Sequence, residues 1–218
     1  MRSIYELAAL LHTVPVQMTP GDGVKKNRLE AFTDGVIAVI ITIMVLELKT
    51  PEEPTWPALL KSWPIFLSYI LSFIYVGIYW NNHHHMLQLV KRISGKVMWA
   101  NLFFLFCLSL FPFATAWLNE AHPHPALVPT VFYGFVLLLT AISWVPLSRS
   151  LIDANGGNSS ELGEAYGADW KGKASIVIYA LAIVLALYNP IISCSLYAAV
   201  AAMWFIPDQR IERRLLDK

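Results

Sequence analysis

Charge is what this sequence has least of. Of 218 residues, 14% are Asp, Glu, Lys or Arg, against about a quarter in an ordinary soluble domain. So few charges cannot solvate the surface of a water-soluble globule, and the integral membrane class remains. The formal net charge of +1 gives no basic field for nucleic acid, and no zinc-finger or helix-turn-helix pattern occurs, so no nucleic-acid partner is expected. Only two cysteines are present, Cys107 and Cys194. Both sit inside apolar blocks, which excludes a disulfide framework and leaves them as small buried apolar side chains. Nothing has the arrangement of an activated nucleophile, so no enzyme and no cofactor are expected.

What is present is apolar residue, 56% of the chain, with mean hydropathy +0.53. It is gathered into blocks at about 29–48, 59–80, 97–118, 127–147, 174–188 and 191–206. A membrane span needs about 20 residues. The last two blocks are short and separated only by Tyr188-Asn189-Pro190, so basic residues decide the count. Of the 16 Lys and Arg, all but Lys49 and Lys61 fall before the first block, after the second, after the fourth or after the last. The positive-inside rule places those connections, and both termini, in the cytoplasm. An odd number of crossings would export the basic C-terminus. The expectation is an all-α integral membrane protein with six transmembrane helices. A cytoplasmic tail (1–27) precedes a six-helix domain (28–207), and a basic cytoplasmic tail (208–218) follows. Residues 1–27 receive no function.

Residues 28–48, RLEAFTDGVIAVIITIMVLEL, place a carboxylate inside the first span. On a helix with about 100° between residues, Gly35, Thr42, Ile43 and Leu46 fall within about 60° of Val39 and form one stripe. Asp34 points about 140° away from it, and Arg28 and Asp34, about 240° apart, cannot pair with each other. An intramembrane carboxylate costs about 2.5–3.5 kcal/mol on insertion scales and needs a partner. Trp80, His84 and Asn101 lie at similar depth in the second and third spans, so a polar knot with Asp34 is available. His83-His84-His85 raises a metal site, but adjacent helical residues point in three directions and no Cys or Glu completes a ligand set. No metal is expected. His122 and His124 sit in a proline-stiffened outer turn.

Arg28, Phe32, Thr33 and Asp34, at these positions, resemble the RxxxFSD signature that opens the first helix of the transmembrane protein 175 family of potassium channels, with Thr33 in place of serine. The following apolar helix and Trp80-Asn81-Asn82-His83-His84 share the resemblance. It implies a homotetramer in the bilayer, with the first helix lining a central pore and potassium as permeant ion. Val39 and Leu46 would then be the narrow apolar rings, Thr42 the hydroxyl ring between them, and Ile43 and Gly35 their neighbours on the wall. Arg28, Phe32, Thr33, Asp34, Trp80, His84 and Asn101 would hold that helix in place. No TVGYG-like segment supplies a carbonyl filter, so selection would rest on dehydration at an apolar constriction and be moderate. A one-motif, six-span chain is similar to the family's prokaryotic members, which implies the prokaryotic inner membrane. The other reading is a proton-coupled or proton-conducting transporter using Asp34 and His84. Against it, the stripe carries no charge, and there is neither a broken helix pair nor an inverted repeat.

Overall fold

The computed structural model describes residues 22–120 and 124–205. The 208–218 tail, His122 and most of the N-terminal tail lie outside the described residues. All regular structure among the described residues is helical. The order is α1 (Asp22–Leu46), α2 (Trp56–Lys61), α3 (Trp63–Leu89), α4 (Gly95–Leu108), α5 (Phe111–Glu120), α6 (Leu127–Ala154), α7 (Glu161–Tyr166), α8 (Trp170–Leu185) and α9 (Pro190–Phe205). A short 3-10 turn, Gly157–Ser159, precedes α7.

The β-branched run Val-Ile-Ala-Val-Ile-Ile-Thr-Ile in α1 is a poor helix former in water. In hydrocarbon every backbone N–H and C=O must find a partner within the chain, so a helix forms regardless of propensity. Four helical stretches are long and apolar enough to cross a membrane: Lys25–Leu46, Trp63–Leu89, Gly95–Glu120 and Leu127–Ala154.

Element boundaries differ from the hydropathy blocks, and polar contacts explain why. α1 begins at Asp22, so residues 22–27 are helical and do not belong to a tail. The second block was expected to end at 80, yet α3 runs to Leu89, because the polar residues beyond Trp80 find partners on α1 and α4. Val90 then turns extended, and Ser94 caps α4, its hydroxyl accepting from Val97 N–H at 3.3 Å. The third block is broken. Pro112 has no N–H to give Leu108, and the chain steps from α4 to α5 through Ser109 and Leu110. α6 carries Pro146 without interruption and continues to Ala154. α8 and α9 are 16 residues each, joined where Asn189 Oδ1 accepts from Ile191 N–H at 2.9 Å.

α6 is the central post, packed on α4, α5, α8 and α9. Tyr75, Phe104, Phe111, Tyr133, Leu137, Tyr179 and Tyr197 fill the core around it. The tyrosines keep their hydroxyls satisfied there: Tyr75 donates to Tyr197 O at 2.5 Å, and Tyr133 pairs with Ser72 at 2.9 Å. α1 stands at the margin, packed on α3, α4 and α5. One of its faces is therefore left outward.

Two ends of the bundle are distinguishable. Asn155, just past α6, accepts from the N–H groups of Lys91 and Arg92 at 2.8 Å, tying the α3–α4 connection to the end of α6. Trp204, near the end of α9, donates to Ser175 Oγ at 2.9 Å and lies under Lys171 at 5.7 Å. Lys91, Arg92, Arg149, Lys171 and Lys173 thus gather at one end. At the other, Lys49 meets Glu120 at 3.6 Å.

Candidate pore wall and the polar knot behind it

The inner face of α1 is closed. Leu29, Thr33, Ile37, Ile40 and Met44 are buried, following the helical repeat. The outward face holds Gly35, Val39, Thr42, Ile43 and Leu46. Val39 is 55% and Leu46 79% exposed, whereas Ile37 is 2% and Met44 1%. Along Gly35–Leu46, where every side is apolar, packing thus separates an outward face from an inward one. Thr42 donates its hydroxyl proton to Val39 O at 2.9 Å. Among the described residues nothing donates to its oxygen, so its lone pairs are available on the exposed side, the correct polarity for facing a cation. Gly35 has open space where a side chain would stand.

Behind this wall are two layers of polar contacts. The inner layer is fully buried and joins three helices. Thr33 Oγ1 on α1 accepts from Asn101 Nδ2 on α4 at 2.9 Å, and Asn101 Oδ1 meets His83 Nε2 on α3 at 3.0 Å. With the amide so oriented, the proton of neutral His83 sits on Nε2. Its ring lies nearly parallel to Phe104, centroids 6.3 Å apart. The outer layer joins α1 to α3 alone. Trp80 Nε1–H donates to Asp34 Oδ1 at 2.9 Å, and His84 Nδ1 meets Glu30 Oε1 at 3.2 Å. Trp80 and His84 stack at 5.8 Å, and His84 Nε2 is 2.8 Å from Gln88 Nε2. Carboxylates at 30 and 34 face rings at 84 and 80, so two antiparallel helices match one turn against one turn.

Asp34, Thr33, Trp80 and Asn101 thus meet within this region, and His84 joins it through Trp80 and Glu30. Two members went unread in the sequence. His83, not His84, is the buried histidine that reaches Asn101, and Glu30 is the partner of His84. The i,i+4 pair Glu30/Asp34 set against the i,i+4 pair Trp80/His84 was the available signal. Arg28 and Phe32 were expected to lock α1 against the second and third spans; both are exposed instead. With Lys25 they line a groove beside Met98 and Leu102 of α4. Phe32 lies about 20° from Val39 on the helical wheel, so it belongs to the outward face. Among the described residues no group of His, Cys, Asp and Glu could hold a metal ion.

Comparison with known proteins follows this geometry. Residues 28–112 match the family described as endosomal/lysosomal potassium channel TMEM175. A protein of Chryseobacterium sp. (strain P1-3), named potassium channel HX13_20290, is 50% identical over 192 residues, covering 88% of this chain and 98% of its own. The crystal structure of a lysosomal potassium-selective channel TMEM175 homolog from Chamaesiphon minutus superposes with TM-score 0.73 at 27% identity, covering 84% of this chain and 97% of that one. A zebrafish protein named endosomal/lysosomal proton channel TMEM175 is 28% identical over 114 residues, 47% of this chain and 22% of its own.

Proposed function

The chain belongs to the TMEM175 potassium-channel family, and on that premise we propose a homotetrameric channel of the prokaryotic inner membrane whose pore is walled by α1. It conducts potassium across the membrane. Val39 and Leu46 form the narrow apolar rings, with Thr42 between them and Ile43 and Gly35 beside them. An apolar ring forces an ion to shed part of its water, and potassium, larger than sodium, sheds water at lower cost. The outward lone pairs of four Thr42 hydroxyls offset part of that loss. Selection is therefore moderate.

The observation that carries this reading is the exposed α1 face, uncharged from Gly35 to Leu46, backed by a buried, hydrogen-bonded one. Arg28 and Phe32, exposed in the single chain, are placed to meet the neighbouring copy, and the inner knot holds each wall in place. Six crossings with cytoplasmic termini agree with the gathering of Lys91, Arg92, Arg149, Lys171 and Lys173 at one end. α8 and α9, at about 1.5 Å per residue, then make a short hairpin of about 24 Å through a thinned bilayer.

The test is purified protein in planar bilayers under opposed potassium and sodium gradients. A reversal potential displaced toward the potassium equilibrium value is expected; one at zero or toward sodium overturns the proposal. Proton conduction is the second reading, favoured by the zebrafish relative's name and by Glu30, Asp34 and His84 standing together. A reversal potential that follows a pH gradient, with potassium and sodium symmetric, would establish it.

A further inference from the structure

A cavity of about 380 Å³ lies within the subunit, lined by α3, α6, α7, α8 and Trp204 of α9, with no contribution from α1. Its deep end is aromatic, formed by Tyr75, Tyr79, Trp144 and Tyr179. Its mouth, at the basic end of the bundle, carries Arg149 and Lys173. From Ala141 to Arg149 along α6 is eight residues, so mouth and floor are about 12 Å apart. That volume falls within the range of about 300–1,000 Å³ that small-molecule sites occupy.

The polar groups are unevenly satisfied. The Tyr79 ring packs against Phe104 and Trp144 at 5.6 and 6.0 Å, but its hydroxyl has no hydrogen-bond partner among the described residues. A tyrosine hydroxyl in such a setting ordinarily finds one. Arg149 and Lys173 are exposed, and among the described residues neither is in an ion pair. The one carboxylate in the lining, Asp169, is already occupied. Its Oδ1 accepts from Gly172 N–H at 3.1 Å, capping α8, and its Oδ2 accepts from the Tyr166 hydroxyl at 2.7 Å. Burial holds the Tyr166 phenol well above the ordinary tyrosine range, so it remains a donor to Asp169. The mouth therefore offers two unpaired cations over a flat, apolar interior.

We propose that this cavity binds a small amphipathic anion, its phosphate-like head between Arg149 and Lys173 and its flat apolar body against Tyr79 and Trp144. Arg supplies a forked donor set for such a head, the rings supply stacking surface, and the Tyr79 hydroxyl donates to a polar atom on the body. The same chemistry has two sources, a soluble aromatic anion or the headgroup region of an anionic lipid.

The test uses the full channel in phosphatidylcholine nanodiscs, titrated calorimetrically with 1-naphthyl phosphate and, separately, with uncharged 1-naphthol. Saturable binding of the phosphate is expected, tighter than the naphthol by about tenfold or more, from its charge-assisted contacts. The double variant Arg149→Gln/Lys173→Gln loses that advantage. Both side chains are exposed, so the fold survives their neutralisation. Lys91→Gln, basic at the same end but outside the cavity, changes nothing. Equal affinity of phosphate and naphthol, an unaltered double variant, or a loss shared by Lys91→Gln overturns the proposal. Phosphatidylglycerol added to the nanodiscs then separates the sources. Competition that vanishes in the double variant identifies a lipid headgroup, and unchanged affinity identifies a soluble anion.

Discussion

Replacing Asn101 with alanine removes the middle of the buried knot, and its cost follows from what is left behind. Two hydrogen bonds disappear, to Thr33 and to His83, at 2.9 and 3.0 Å. Interhelical hydrogen bonds in membrane proteins average about 0.6 kcal/mol each and reach about 1.7. The bonds alone therefore account for about 1–3 kcal/mol. Thr33 and His83 are buried at 0% and 1% exposure, so a ring N–H is also stranded, adding about 1–3 kcal/mol. A loss of about 2–6 kcal/mol is expected. His84→Ala, in the half-exposed outer layer, breaks a contact to Glu30 that water replaces, and should cost under about 1 kcal/mol. The assay is equilibrium unfolding in mixed micelles at fixed protein concentration, for Asn101→Ala, Thr33→Val, the double variant and His84→Ala. Thr33 and Asn101 should couple by about 0.5 kcal/mol or more, as contacting residues do. Additive losses, or a His84→Ala cost equal to that of Asn101→Ala, would refute the inner knot as the principal fastening.

Val39→Asn and Leu46→Asn should raise sodium current relative to potassium, read as a shift in bi-ionic reversal potential; no shift in either would remove α1 from the pore. Thr42→Val keeps the ring width but deletes the outward lone pairs, so single-channel potassium conductance should fall while the fold persists. Asp34→Ala removes the acceptor of the Trp80 indole on the side away from the stripe. It should reduce the tetramer fraction on size exclusion before it alters ion preference. Gly134→Ala would drive a Cβ into the Tyr197 hydroxyl, costing about 1–3 kcal/mol in thermal unfolding, and Tyr197→Phe in the same chain should recover part of that loss.

The division of α1 into two faces was legible because the wheel depends only on spacing, and Asp34 marked one side of it. Thr33, Asp34, Trp80 and Asn101 were legible as a region because depth along a helix is counted in residues. Which histidine turns inward was not, since His83 and His84 differ by about 100° and only the placement of α4 decides between them. The extension of α3 to Leu89 escaped notice because hydropathy falls at Trp80 while helical hydrogen bonding does not. The break at Ser109 was hidden inside an unbroken apolar block; Pro112 was its one visible sign. Phe32 sits within a recognisable motif, yet it lies exposed on the outward face.

The two outer contacts between α1 and α3 are spaced like the teeth of a rack. Sliding α1 along α3 by one turn, about 5.4 Å, would set Glu30 opposite Trp80 and renew a carboxylate–indole contact, so that rack accepts more than one position. The trio of Thr33, Asn101 and His83 has no second tooth to engage and acts as the pawl. Val39, six residues beyond Thr33 and so about 9 Å further along the axis, is held at one height because that pawl admits only one.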